Sequence, residues 1–355
     1  MRAAVYHGAH DVRISDVPEP TPRSGEVVLR VRRSGMCGTD ATEWAKGPLT
    51  FPVDRRHPVT GHQGPMVIGH EFVGVVEQAV PGGRYAEGEL VACGAGVWCG
   101  ECDRCREGRT NICRRYYTLG LNTAGGLAEL VAAPERSLVP VPDDLSLDHA
   151  GLAQPMAVGL HAARRAGVRD GDRVVLIGAG AIGSFLLTGA RSMAEAEVTV
   201  VDFPGSRLDR ALRLGATRVV GADVDAEDIV EQIGGEADVV IEASGAAGQL
   251  DKAVSLVRPG GTVLQVGLPG TPQMVDIHPV VMQEISVLTT LAHVCEADLA
   301  PALDVLSRTR VAHELLDSVH PLDDVAEQLD RLAGGEIEGK VLFDPALTNG
   351  RNAES

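Results

Sequence analysis

Four cysteines, Cys99, Cys102, Cys105 and Cys113, fall within fifteen residues of a 355-residue chain. The spacing C-x2-C-x2-C-x7-C lets four thiolates close a tetrahedral shell around one Zn²⁺. No position is then left for a substrate, so such a site would stabilise a lobe without doing chemistry. Short cysteine runs also hold iron–sulfur clusters, and spacing by itself leaves that alternative open. A second group is looser. Cys37 stands beside Thr39 and Asp40, His70 and Glu71 lie further on, and Gln154 follows much later. One thiolate, one imidazole and one or two oxygen donors would make an open zinc site with room for substrate or water. Each also has an ordinary reading, as a buried thiol, a core histidine or a helix-start amide, and spacing alone does not join them. Cys93 and Cys295 read as buried apolar side chains.

A third motif is Gly178-Ala179-Gly180-Ala181-Ile182-Gly183, which follows an apolar run ending at Ile177 and opens a helical stretch. In that context the first glycine permits a tight turn and the second lets backbone approach a pyrophosphate. The third allows close helix–strand packing, and the helix N-terminus offers partial positive charge. The next apolar run ends at Asp202, placed to hydrogen-bond ribose hydroxyls and to repel a 2′-phosphate, so NAD is expected over NADP. Arg207, five residues on, would soften that preference if it faced the cofactor.

These motifs need scaffolds of two kinds. Residues 1–151 are β-rich and irregular, punctuated by Pro and Gly, with strand-like runs at 27–32 and 72–77 and a long proline- and histidine-bearing loop at 47–65. Residues 152–292 change texture. Apolar runs at 173–177, 198–201, 218–220, 238–241 and 262–266 alternate with helical stretches at 206–214, 226–233 and 250–257, the pattern of a doubly wound parallel sheet. Residues 293–355 return to amphipathic helices at 297–307 and 322–333 and a closing strand at 340–343. The tail from 349 reads as loose. The fold class is therefore α/β, in two domains.

Composition sets outer limits. With 44% hydrophobic and 23% charged residues the chain can bury full cores. Its net charge of −17 disfavours nucleic acid and anionic membrane surfaces as partners. The N-terminal residues reach charge and histidine too early for a signal peptide, and the longest uncharged run, 174–190, is short for a bilayer helix and carries four glycines. A cytoplasmic location is expected.

Taken together and in order, Cys37-Gly-Thr-Asp40, Gly69-His-Glu71, the four-cysteine lobe, Gly125-Gly-Leu-Ala-Glu129, Pro155-Met-Ala-Val-Gly-Leu-His161 and the glycine fingerprint resemble a zinc-dependent medium-chain alcohol dehydrogenase. The likeness runs over nearly the whole length and is strongest to the polyol, butanediol and threonine dehydrogenase branch. It implies a GroES-like catalytic domain, completed by the C-terminal segment, with a Rossmann NAD-binding domain between. It implies two zinc ions, one held by Cys37 and His70 with Glu71 as a direct or intermittent ligand, the other by Cys99, Cys102, Cys105 and Cys113. Thr39 then matches the hydroxyl that relays the substrate proton, and Asp40 orients His70. The expected activity is NAD(H)-linked interconversion of a secondary alcohol (a diol, polyol, sugar or cyclitol) and its ketone, in a homodimer or homotetramer.

Two positions depart from the family pattern. Thr42 stands where many relatives complete the relay with His, which turns attention to His57 and His62 as alternative proton carriers. Gln154 stands where polyol dehydrogenases usually have Glu and other alcohol dehydrogenases Cys. These departures motivate the alternative reading, a biosynthetic reductase or an atypical reaction on a specialised metabolite. Trp44 would either line the substrate pocket or pack in the core.

Overall fold

The computed structural model describes residues 1–348, so the tail from 349 lies outside the described residues. The chain forms two compact units. One comprises residues 1–157, 293–308 and 315 onward, and the other 158–292 and 309–314. The division falls inside the helix Ala153–Ala166 rather than at 151/152, because a change of residue texture marks a new packing pattern and not the point where contacts separate.

The first unit is built on a seven-stranded sheet. Its path runs Leu138–Pro140, Leu90–Cys93, Glu71–Gln78, Glu26–Gly35, Lys340–Phe343 and Leu316–His320, with Leu130–Pro134 also paired to Glu26–Gly35. The strand Glu26–Gly35 is the hub. It runs antiparallel to Glu71–Gln78 with Gly35 opposite Glu71, and Lys340–Phe343 pairs on its other side, with Leu342 opposite Gly35. Three segments remote in sequence thus meet at Gly35. A second, three-stranded sheet orders Asp11–Asp16, Arg2–Gly8 and Met66–Val67.

One core of this unit gathers Tyr6, Met36, Trp44, Phe51, Leu127 and Phe343. Phe51, 1% exposed, comes from the long loop and meets Tyr6 edge to face at 4.8 Å. Its burial contributes about 2–3 kcal/mol to docking that loop. Trp44 packs: it is 5% exposed and donates its indole N–H to Asp330 Oδ1 at 2.6 Å.

The second unit is a parallel six-stranded sheet in the order Arg218–Gly221, Glu197–Asp202, Arg173–Ile177, Ala237–Glu242, Val257–Gln265, Ser286–Thr289. The central strand reads Arg-Val-Val-Leu-Ile without alternation because parallel strands are covered on both faces. The sixth strand has no counterpart in the sequence reading. It is short and mostly exposed, so no apolar run announces it. Helices at Ser206–Arg213, Ala226–Ile233 and Gln249–Leu256 match their expected positions within a residue.

Candidate active site and cofactor turn

Cys37 ends the turn after the strand Glu26–Gly35 and caps the helix Gly38–Lys46. The cap is reciprocal: Thr39 N donates to Cys37 Sγ at 3.2 Å, and Cys37 N donates to Asp40 Oδ2 at 2.9 Å. Sequence alone therefore fixes a local unit in which thiol, hydroxyl and carboxylate share one helical turn. His70 immediately precedes the neighbouring strand Glu71–Gln78, after Gly69, whose φ of +97° and close approach to Leu127 leave no room for a side chain. Strand pairing brings the two together, with Cys37 Sγ 3.0 Å from His70 Nε2.

On the other edge of the ring, Asp40 Oδ1 lies 3.7 Å from Nδ1. Cys37, Asp40 and His70 have donor atoms all within 4.8 Å of one another. An ion shared with the Cys37 sulfur would take Nε2, leaving Asp40 to support the ring from the Nδ1 side. The electrostatics suit a cation. Burial opposes the imidazolium, yet Cys37, Asp40 and Glu71 outweigh it and push the His70 pKa up to about 10. Burial likewise raises the Asp40 carboxyl.

Glu71 is not part of that donor set. Its carboxylate, 2% exposed, is held by Lys340 Nζ, which lies 2.7 Å from Oε1 and 2.5 Å from Oε2. Gln154 is buried in the first turn of the helix Ala153–Ala166. Thr39 is half-buried beside Cys37. Thr42 is exposed and donates its hydroxyl to Gly38 O at 2.8 Å, one turn back in its own helix. The loop histidines are engaged with their own loop. His57 Nδ1 accepts from Thr60 N at 3.1 Å, and burial holds its pKa below the ordinary value. His62 Nε2 lies 3.2 Å from Gly64 O.

Two residues that sequence reasoning passed over organise this region. Glu43, 1% exposed, accepts from the backbone N–H groups of Leu49 (2.8 Å), Thr50 and Phe51, and so anchors the loop that follows its helix. Lys340 is the other. Its signal was available, since it is one of only three lysines (Lys46, Lys252, Lys340) and opens an otherwise apolar strand.

The four-cysteine lobe gathers Cys99, Cys102, Cys105 and Cys113 with sulfur separations of 3.5 Å (Cys102–Cys105 and Cys99–Cys113), 3.8 Å (Cys102–Cys113) and 3.9 Å (Cys99–Cys105). Sulfurs about 2.3 Å from one tetrahedral zinc sit about 3.8 Å apart, so the set fits a single ion. A polynuclear cluster divides the four thiolates among two or four irons and spreads the set farther. Backbone N–H groups lower the thiol pKa values of Cys99 and Cys102, whereas burial pushes that of Cys105 up to about 12. Cys93 and Cys295 are buried, and burial raises both thiols.

In the second unit, the helix Ala181–Met193 starts at Gly180 with no side chain capping it. A Cβ at Gly180 would meet nothing within 4 Å, whereas at Gly183 it would collide with Gly178 O at 2.0 Å. The open face at Gly180 is the space a pyrophosphate needs, and Ala181, Ile182 and Gly183 form the first turn beneath it. Asp202 ends the adjacent strand, 8% exposed, with Oδ2 accepting from Ala179 N and Oδ1 from Phe203 N, both at 2.6 Å. Arg207 lies in the first turn of the helix Ser206–Arg213, and Arg210 donates to Ala179 O at 3.0 Å.

Comparison with known proteins identifies the family and the fold. Residues 23–143 match the alcohol dehydrogenase GroES-like domain, and residues 181–308 match the zinc-binding dehydrogenase family. The chain is 32% identical to (R,R)-butanediol dehydrogenase of Neisseria gonorrhoeae, with 98% of this chain and 100% of the relative covered. It is 30% identical to sorbitol dehydrogenase of Bacillus subtilis, over 76% of this chain and 75% of that protein. The crystal structure of 2R,3R-butanediol dehydrogenase from Bacillus subtilis superposes with a TM-score of 0.88 at 28% identity, covering 97% of this chain and 99% of that one.

Proposed function

Because the chain belongs to the zinc-binding, GroES-like alcohol dehydrogenase family, we propose that it oxidises a secondary alcohol of a diol, polyol, sugar or cyclitol to the ketone, or runs the reverse, with NAD(H). The observation that carries this reading is the 3.0 Å approach of Cys37 Sγ to His70 Nε2 within a buried cluster of negative charge. The relatives described above are a butanediol and a sorbitol dehydrogenase, which supports the substrate class.

Cys37 and His70 would hold the catalytic zinc, with Glu71 as a direct or intermittent further ligand and Gln154 as an alternative oxygen donor. The four-cysteine lobe would hold a second, structural zinc. When bound, the zinc acidifies the substrate hydroxyl and the nicotinamide accepts the hydride. Asp40 keeps the His70 ring oriented with Nε2 toward Cys37. Thr39 Oγ1 accepts the proton of the substrate hydroxyl as its own leaves toward solvent. Thr42 does not continue that route as a base, since its hydroxyl donates to Gly38 O, and His57 and His62 serve their loop. Asp202 would bind the adenosine ribose, with the pyrophosphate over Gly180 and the first turn of its helix, and NAD is favoured over NADP.

All seven cysteines are free thiols, which suits a reducing compartment, and we place the enzyme in the cytoplasm. No helix among the described residues is long and apolar enough to cross a membrane. We further propose a homodimer or homotetramer. The sheet of the second unit ends in the open edge Ser286–Thr289, with exposed Val281, Met282, Val287 and Leu291 at and around it.

The test is a panel of diols, polyols, sugars and cyclitols offered with NAD or NADP to protein whose metal content is measured on the same sample. NADH formation, its loss on chelation and occupancy of both donor groups by zinc are expected. A metal-replete protein that oxidises none of the panel overturns the substrate class.

A further inference from the structure

The second unit holds a cavity of about 260 Å³ at the far end of the helix Ala181–Met193. Thr188, Arg191 and Ser192 of that helix line it, with Arg213, Gly215 and Arg310 opposite in sequence. All belong to one unit, since the segment 309–314 packs with 158–292. Arg191 lies eleven residues along the helix from Gly180. At the α-helical rise that is about 16 Å, so a ligand here is separate from the cofactor turn.

Three guanidiniums and no carboxylate line the cavity, on a chain of net charge −17. Arg191 Nη1 donates to Ala196 O at 2.6 Å, and its pairing with Glu195 is loose, at 3.8 Å. Arg213 sets Nε and Nη2 against a single oxygen of Glu314, at 2.9 and 2.8 Å, and Arg310 Nη2 lies 3.5 Å from the other oxygen. The hydrogen bond from Arg213, aided by the charge of both arginines, holds the Glu314 carboxyl below its ordinary range. One enclosed anion is thus shared between two of three cations, an excess of two positive charges. Glu195 and Asp209 also act on Arg191 and Arg213, but both are exposed, where salt screens them.

The hydroxyls of the cavity have the opposite polarity. Thr188 donates to Ser184 O at 3.0 Å and Ser192 to Gly189 O at 2.7 Å, so each proton is spent on a helix carbonyl and each oxygen is left to accept. Guanidiniums only donate, and their planar fork matches a phosphate. A ligand that satisfies both sets carries a dianionic oxyanion and, beside it, hydroxyl donors. The volume falls below the roughly 300–1,000 Å³ of pockets for larger ligands, which limits the carbon chain to a few atoms.

We propose that this cavity is a second binding site, for a small phosphate monoester of a polyol or sugar. The phosphate sits among Arg191, Arg213 and Arg310, and the ligand hydroxyls donate to Thr188 and Ser192.

Isothermal titration of the full chain in excess NAD, which keeps the probes off the cofactor turn, tests this at low ionic strength. The probes are glycerol 3-phosphate, inorganic phosphate, glycerol and citrate, offered to wild type, R310Q, R191Q/R310Q and E314Q. Glycerol 3-phosphate should bind more tightly than inorganic phosphate, and glycerol not at all. The Arg310 side chain is 74% exposed, so R310Q leaves the fold intact and should weaken binding about five- to tenfold. R191Q/R310Q should abolish it. E314Q should tighten binding, because Arg213 and Arg310 lose their internal anion, and a general loss of structure cannot move the two variants in opposite directions. No binding of glycerol 3-phosphate to wild type, or an affinity unmoved by R310Q, overturns the site. Equal affinities for glycerol 3-phosphate and inorganic phosphate, or tighter binding of citrate, overturn the assignment of a hydroxyl-bearing phosphate monoester. If R191Q/R310Q does not fold, R310Q and E314Q decide.

Discussion

At the scale of single residues, much of the chemistry is set by what each polar group is already committed to. Asp202 illustrates this. Both its oxygens accept backbone N–H bonds at the glycine turn and beyond the strand, which aims the carboxylate while leaving lone pairs for a ribose. Replacing it with Ala removes charge-assisted hydrogen bonds of about 1.5–3 kcal/mol. The KM for NAD should rise roughly 10- to 150-fold, and the preference for NAD over NADP should narrow. Steady-state kinetics with both cofactors, beside a thermal melt to separate loss of fold, measures this. Thr42 and the loop histidines teach the converse. Their residue types alone permit proton transfer, yet bonds to Gly38 O, Thr60 N and Gly64 O give each a structural task.

Among the elements, the long loop depends on one carboxylate. Glu43 projects from the helix that begins at Cys37 and gathers the N–H groups of three successive loop residues, while Phe51 fills the core against Tyr6. Glu43→Ala leaves those donors without their acceptor and should cost about 2–4 kcal/mol in denaturant unfolding. It should also open the 49–64 segment to limited proteolysis. If the loop shapes the alcohol pocket, the alcohol KM rises and the NAD KM does not; equal rises in both would place the loop outside substrate binding. The glycine fingerprint and four-cysteine lobe are elements of the opposite kind, legible because each is complete within a few residues of chain. The edge strand Ser286–Thr289 was not legible. Half-exposed strands of four residues carry too few apolar positions to show a period.

For the whole molecule, the open edge of the parallel sheet carries the prediction. Val281 and Val287 are 66% and 41% exposed, so replacing both with Asp removes little core packing. Charge at that edge should repel a second copy, and sedimentation should then report a monomer whose melting transition and cofactor binding are kept. An unchanged mass would place the oligomer contact elsewhere.

What the sequence determined by itself is the set of local constellations: the thiolate lobe, the capped turn of Cys37, Thr39 and Asp40, the cofactor turn, and the alternation of buried strands and helices. Each follows from residue spacing and backbone preference over a short stretch. Only the tertiary structure decided that Cys37 faces His70 and that Glu71 is held by a lysine 269 residues away. It also set the loop upon Glu43. These pairings arise where strands of one sheet bring distant segments side by side at Gly35. Strand register is a property of the assembled sheet, and no periodicity within a single segment encodes which carboxylate a buried ammonium will meet.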